Sequence, residues 1–253
     1  MQTVPVQRIG ALGPYTSVLD TLLIGFDAKT LTARGFHRPP HEINGVKPWT
    51  QDMQADQSVS LSDGLLVAPL PNDRNQVLLL LSLEAETGQE YGILALVNIV
   101  PQPHTTATLG VQKDRRLDFF TEDRVHFYSI ADGTSAVFVD NHHSNTGETF
   151  QNLTLIGVTA TGLHSIYDGP DLYHYSSAAD GCAHVMKPQF QPLAARHGGY
   201  HDIQMTVVQS TTCSHRPPSL KTYPATLQWN PSRQKYMGGS KALSKAVGAI
   251  AGE

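Results

Sequence analysis

Short runs in which apolar or β-branched residues alternate with polar ones dominate the chain, and helical periodicity is scarce. In DIQMTVVQS, Ile203, Met205 and Val207 fall on one face while Gln204, Thr206 and Val208 fall on the other, the period-2 signature of a strand. In TYPATLQWN, Tyr223, Ala225, Leu227 and Trp229 align in the same way. Pro224 places that run at a strand start or a sheet edge, because proline has no N–H to donate to a ladder. Runs of this kind, bounded by Gly, Asp, Asn and Pro clusters, predict strands over Leu22–Phe26, Gln76–Ala85, Tyr91–Val100, Ala107–Gln112 and Ala136–Asp140. Further strands are predicted over Gln151–Val158, Gly162–Tyr167, Asp202–Gln209 and Tyr223–Asn230.

These runs come in pairs, near residues 76 and 90, 135 and 151, and 203 and 222. Each pair reads as a hairpin, and the spacing suggests an all-β body in which hairpin units form a propeller-like arrangement. Laid face to face, the same units would make a β-sandwich. The segment TEDRVHFYSI fits either a short helix or another strand. The tail GGSKALSKAVGAIAGE predicts a short C-terminal helix: Ser240 can cap its first turn, and Leu243, Val247 and Ile250 recur at helical spacing. Residues 1–75 carry many turns and few long runs, so they are expected to form irregular covering structure on a main β body at 76–236, all within one domain.

Composition narrows the class. With 40% hydrophobic and 16% charged residues in 253, the chain can bury a core and is not a disordered segment. A net charge of −4, with its 18 Lys and Arg scattered, leaves no electrostatic footprint for nucleic acid. The longest apolar run, QVLLLLSLEAE, is too short to span a bilayer. The start MQTVPVQR lacks the parts of a signal peptide. That fits a cytoplasmic chain, or a mature one whose leader or lipoprotein signal has been removed. The triplet Asn152-Leu-Thr is a formal glycosylation acceptor.

The two cysteines, Cys182 in ADGCAH and Cys213 in STTCSH, sit in polar, turn-rich sequence at the borders of strand-like runs. Buried thiols belong inside apolar segments, so a disulfide between the two is expected. It would close a loop of about 30 residues and contribute roughly 3–4 kcal/mol by restricting the unfolded chain. Such a bond implies an oxidising compartment, periplasmic or secreted.

Three stretches hold candidate chemistry. In FVDNHHSNTGETFQNLTLIG, the loop-like centre offers Asp140, Asn145 and Glu148 as hard oxygen donors for calcium. A solvated hairpin connection explains the same residues. His142 and His143 are adjacent on an extended chain and point to opposite faces, which argues against zinc. In RHGGYHD, His197 and His201 have the spacing of a helical metal pair, but Gly198 and Gly199 favour a turn leading into a strand. In IYDGPDLYHYSSAADGC, Asp168 and Asp171 frame a turn, and Tyr173, His174 and Tyr175 follow it. Tyrosines offer large contact area at low entropic cost, which suits a partner-binding loop held at its base by Cys182. Packing of those tyrosines over a sheet edge is the other reading. No nucleophile elbow, catalytic-thiol environment or phosphate loop occurs, so no catalytic residue is assigned and no cofactor is required.

The stretch 133–236, from GTSAVFVDNHHSNTGETF through GYHDIQMTVVQSTT to the closing strands with Trp229 and Tyr236, resembles Gram-negative periplasmic β-rich proteins. These are of the lysozyme-inhibitor and antibacterial-toxin immunity type. The family's short Ser-Gly…Tyr motif finds only an echo in TGLHSIY at 161–167. The resemblance implies a non-catalytic protein that plugs the cleft of a peptidoglycan-degrading hydrolase with a protruding loop. Two alternatives stay open: a calcium-stabilised envelope or carbohydrate-binding module, and a metal-dependent hydrolase.

Overall fold

The structure, a computed structural model, describes residues 2–5, 7–9, 13–37, 39, 42–43, 58–86, 90–113, 116–117, 124–145, 148–160, 162–177 and 181–251. Within the strands, residues 2–4, 8–9, 42–43, 62–64, 90, 111–113, 116–117, 124–125, 139–145, 148–153, 170–171 and 173–177 are placed by their backbone alone, as are 249–251 of the last helix. At 67% strand against 11% helix, the all-β expectation is borne out.

Short elements open the chain: β1 (Gln2–Pro5), β2 (Gln7–Ile9), the helix α1 (Thr16–Leu22), β3 (Leu23–Ile24), β4 (Thr32–Ala33), β5 (Gly35–Phe36) and β6 (Glu42–Ile43). Long strands follow: β7 (Val59–Pro69), β8 (Gln76–Ala85), β9 (Glu90–Asn98) and β10 (His104–Lys113). After the two-residue β11 (Arg116–Leu117) come β12 (Arg124–Ala131), β13 (Thr134–Asn145), β14 (Glu148–Val158) and β15 (Leu163–Ser177). The last are β16 (Cys182–His197), β17 (Tyr200–Cys213), β18 (Arg216–Asn230), β19 (Lys235–Met237) and the helix α2 (Lys241–Ala251).

Two sheets hold most of these strands. A seven-stranded sheet runs β2-β7-β8-β9-β10-β6, with β4 also on β7. A ten-stranded sheet runs β1-β12-β13-β14-β15-β16-β17-β18-β19, with β11 on β13. From β12 onward every strand pairs antiparallel with the next, so the predicted hairpins merge into one meander. Separate blades would need each hairpin to stop pairing with its neighbour. No propeller and no closed barrel is seen among the described residues.

The ten-stranded sheet folds over on itself because one joint is weak. β15 and β16 share only three register pairs, from Tyr175↔His184 to Ser177↔Cys182. Past them the two strands diverge, and β12 packs against β16 and β17. The core between the two halves includes Tyr128, Ile130, Leu155, Met186, Ile203, Met205, Leu227 and Trp229. Divergence also accounts for Pro188 and Pro192 in β16: they pair with Val207 and Ile203 on one side and have no strand on the other. Pro224 sits likewise on the unpaired side of β18, since β19 covers only Gln228–Asn230.

A second core joins the two sheets. Leu78, Leu80, Leu94 and Leu96 on one face of β8 and β9 meet Phe127, Val137, Ile156 and Val158 of the ten-stranded sheet. The alternate residues Leu79, Leu81, Ile93 and Ala95 face the opposite way, under Val18, Leu19 and Leu22 of α1. This two-sided burial is why QVLLLLSLEA is apolar at nearly every position instead of alternating. Each of these fully buried leucines contributes about 1.5–3 kcal/mol of transfer free energy.

The N-terminal segment is therefore only partly a cover. α1 lies over the seven-stranded sheet, where a strand was expected from Leu22, and the helix ends at Leu22 before the short β3. Val59–Pro69, inside the expected irregular region, is an eleven-residue strand of that sheet. TEDRVHFYSI supplies β12, the strand alternative. The C-terminal helix forms as expected: the Leu243 amide donates to Ser240 Oγ at 3.2 Å, and Leu243 is fully buried against the body.

Candidate functional site

Antiparallel meandering sorts the hairpin turns of the ten-stranded sheet into two opposite ends, and the candidate chemistry collects at both.

At one end lie the turns between β13 and β14, β15 and β16, and β17 and β18. The predicted disulfide is present: Cys182 and Cys213 are joined and stand opposite each other in the β16–β17 register. Beside it the ladder places Tyr175 between Glu148 and His184, with His174 opposite Thr149 and Tyr173 opposite Phe150. Tyr173, His174 and Tyr175 thus belong to strand β15, where a loop was expected, and their side chains lie outside the described residues. The DGPD turn is instead a β-bulge. Asp171 pairs with Asn152 and Asp168 with Thr154, so Gly169 and Pro170 together oppose Leu153.

The second stretch is strand as well. β13 and β14 pair without a break from Ser135↔Val158 to Asn145↔Glu148. Asn145 and Glu148 face each other at the tip, whereas Asp140 pairs with Leu153 five positions away, about 17 Å along the strand. A cation at the tip could use Asn145 and Glu148 but not Asp140. The side chains of all three lie outside the described residues, and among those described no three His, Cys, Asp or Glu residues converge on a metal position.

The opposite end carries the β16–β17 turn. His197 pairs with Tyr200 across Gly198 and Gly199, whose φ angles of +56° and +86° make this a tight two-residue hairpin. The predicted turn is confirmed, and it separates the two histidines. His197 Nδ1 donates to the buried Asp202 carboxylate at 2.6 Å. His201 donates from Nδ1 to the Leu193 carbonyl at 2.6 Å and accepts from Arg196 at Nε2, 2.8 Å away. An Asp-held imidazole is a familiar catalytic part, but no hydroxyl or thiol among the described residues bonds to His197 Nε2.

Next to this turn the aromatic residues of the closing strands interlock. Tyr200 stacks on Trp229 with centroids 4.0 Å apart and planes at 18°, and Tyr236 meets Trp229 edge-on at 5.3 Å. The Tyr236 hydroxyl donates to the His201 carbonyl at 2.7 Å. Burial, then the neighbouring Tyr200 and Asp202, push the Tyr236 phenol well above its ordinary range.

A cleft of about 520 Å³ opens beside the stack, between the two halves of the folded-over sheet. Ile130, Leu163 and Ile166 form its apolar floor, Tyr200 and Trp229 one wall, and Arg233, Gln234 and Lys235 of the β18–β19 turn its rim. Lys235 Nζ donates to Asp168 Oδ2 at 2.5 Å, and Ser165 Oγ donates to Asp168 Oδ1 at 2.8 Å. Asp168, predicted as a turn residue of a binding loop, thus braces the cleft. Nothing in the sequence pattern pointed to this cleft, because its residues come from eight strands and two turns.

The fold and its two decorated ends define a β-rich protein of stacked sheets with one cross-strand disulfide. Comparison with known proteins found no matching family model, no matching curated protein and no matching solved structure. Among the described residues no helix is long and apolar enough to cross a membrane.

Proposed function

We propose that this protein is a non-catalytic extracytoplasmic inhibitor that blocks a peptidoglycan-degrading hydrolase, with the disulfide end of the ten-stranded sheet as its contact surface. The observation that carries the reading is the register Glu148↔Tyr175↔His184, two pairs from the Cys182–Cys213 bond. That register holds Tyr175 between strands on both sides and lays His174 and Tyr173 along β14. A contact surface built this way loses little conformational freedom on binding, which favours tight association. Tyr hydroxyls and His nitrogens are suited to hydrogen-bond the carboxylates of a glycan-hydrolase cleft. The disulfide also supports an oxidising compartment, the periplasm in this reading.

The test is hydrolysis of peptidoglycan by a lysozyme-type enzyme in the presence of the protein and its Tyr173→Ala and Tyr175→Ala variants. The wild type is expected to suppress hydrolysis, and each variant to weaken suppression by about tenfold or more, the loss of a central aromatic contact. Full inhibition by both variants would move the surface elsewhere. No inhibition by the wild type against a panel of such hydrolases would overturn the function itself.

A further inference from the structure

The cleft at the other end of the sheet has no part in that surface, and its chemistry points to a small ligand. Its volume of about 520 Å³ lies in the range of small-molecule sites. Its deepest lining is aliphatic: Ile130 is fully buried, and Leu163 and Ile166 are nearly so. Among the described residues no carboxylate lines the cleft, whereas the cationic Arg233 and Lys235 do, together with His164, Thr134, Thr159 and Ser165. Lys235 is already neutralised by Asp168. Arg233 makes no side-chain hydrogen bond or ion pair among the described residues, so its guanidinium is available at the mouth of the cleft.

We infer that this cleft binds a small organic carboxylate, its hydrocarbon or ring body on the Ile130–Leu163–Ile166 floor beside Tyr200 and its carboxylate on Arg233. Arginine presents a planar fork of donors that matches a carboxylate in two parallel bonds. The apolar floor rejects a fully hydrated ion and favours an amphiphilic one. Asp168 sets the strength of the site. It holds Lys235 away from the ligand and keeps the net charge at the rim lower than its two cations would give.

The experiment is calorimetric titration of the intact protein with benzoate, cyclohexanecarboxylate and naphthalene-2-carboxylate, each beside its uncharged carboxamide. At least one acid is expected to bind saturably at millimolar concentration or below, with its amide about tenfold weaker or more, the worth of one charge-assisted pair. Arg233→Gln is expected to erase the difference between acid and amide while leaving the circular dichroism spectrum and melting curve unchanged. Asp168→Asn, which frees Lys235, is expected to tighten acid binding. Absence of saturable binding by all three acids, equal affinity for acid and amide, or full discrimination retained in Arg233→Gln would each overturn the assignment. Loss of binding with an altered melting curve in Arg233→Gln would direct the same comparison to Arg233→Lys, which keeps the charge without the fork and should retain weakened discrimination. If that variant discriminates no better than Arg233→Gln, the proposed charge recognition fails.

Discussion

Tyr200 and Trp229 lie face to face, 4.0 Å between ring centroids, and tie the β16–β17 turn to the end of β18. The stack closes one side of the core between the two sheet halves, because Trp229 is buried and belongs to that core while Tyr200 packs on it from the rim. Tyr236 completes the cluster edge-on. Removing the indole is therefore expected to cost much more than removing the phenol. Trp229→Ala should lose about 3–5 kcal/mol of unfolding free energy. Tyr200→Ala should forfeit mainly the ring pair and its partial burial, about 1–2 kcal/mol. Urea unfolding followed by circular dichroism reads both, and equal losses would refute the assignment of roles.

The glycines around this cluster should rank by what a methyl group would meet. At Gly199, with φ +86°, a Cβ meets open space, so alanine is expected to cost only the left-handed strain of about 1–2 kcal/mol. At Gly198 a Cβ would also stand 3.1 Å from Trp229 Cδ1, which adds crowding against the stack. At Gly238, with φ +136°, it would land on the Thr226 carbonyl oxygen, a backbone atom with little room to yield. Unfolding curves of the three alanine variants should give losses in the order 238, 198, 199, with about 2–4 kcal/mol at position 238.

Cys182 and Cys213 are 31 residues apart in sequence and adjacent in the β16–β17 ladder. Their bond removes loop freedom from the unfolded chain, worth about 3–4 kcal/mol for a loop of this length. Replacing both with serine should lower the urea midpoint accordingly, and dithiothreitol should then have no further effect. Because the bond pins the end of the sheet that carries Tyr173–Tyr175, the proposed inhibition predicts that the double variant suppresses hydrolysis less well at temperatures where it remains folded.

Alkaline pH should destabilise the protein through its buried phenols. Burial, and then the adjacent Asp168 charge, push the Tyr167 hydroxyl up to about 12 from an ordinary value of 10.0. Its folded pKa is raised, so the stabilisation is complete below pH 10 and is lost as pH rises from 10 through about 12, where only the unfolded chain ionises readily. Two units correspond to roughly 2–3 kcal/mol. Tyr167→Phe should flatten the fall of stability over that window, and Tyr236→Phe should flatten it further. An unchanged alkaline profile in both variants would show that these phenols ionise without opening the fold.

Much of the strand content was legible because alternation survives in the chain: Ile203, Met205 and Val207 are buried as their spacing requires, and so are Ala225, Leu227 and Trp229. What misled was turn chemistry inside long strands. Asp168-Gly169-Pro170 reads as a turn, yet it falls where β15 slips register against β14 beside Thr154, and Asp63-Gly64, in the segment expected to be irregular, falls at the like slip in β7 between Leu61 and Leu65. A bulge needs the same permissive backbone as a turn, so local sequence does not separate the two. β16 was missed for a related reason: Pro188 and Pro192 argue against an interior strand, and only the divergence from β15 gives them an unpaired side.

The amino-acid order alone determined that this chain folds from strands, ends in a capped helix and joins its two cysteines, because period-2 burial, an N-cap serine and paired polar-flanked thiols are local signals. Tertiary structure decided that the strands form two stacked sheets, that one of them folds over at a three-pair joint, and that Trp229, Tyr200 and Arg233 share a cleft that Asp168 braces through Lys235. Those outcomes depend on which strands stop pairing and on contacts between residues far apart in the chain, and no short window of sequence contains that information.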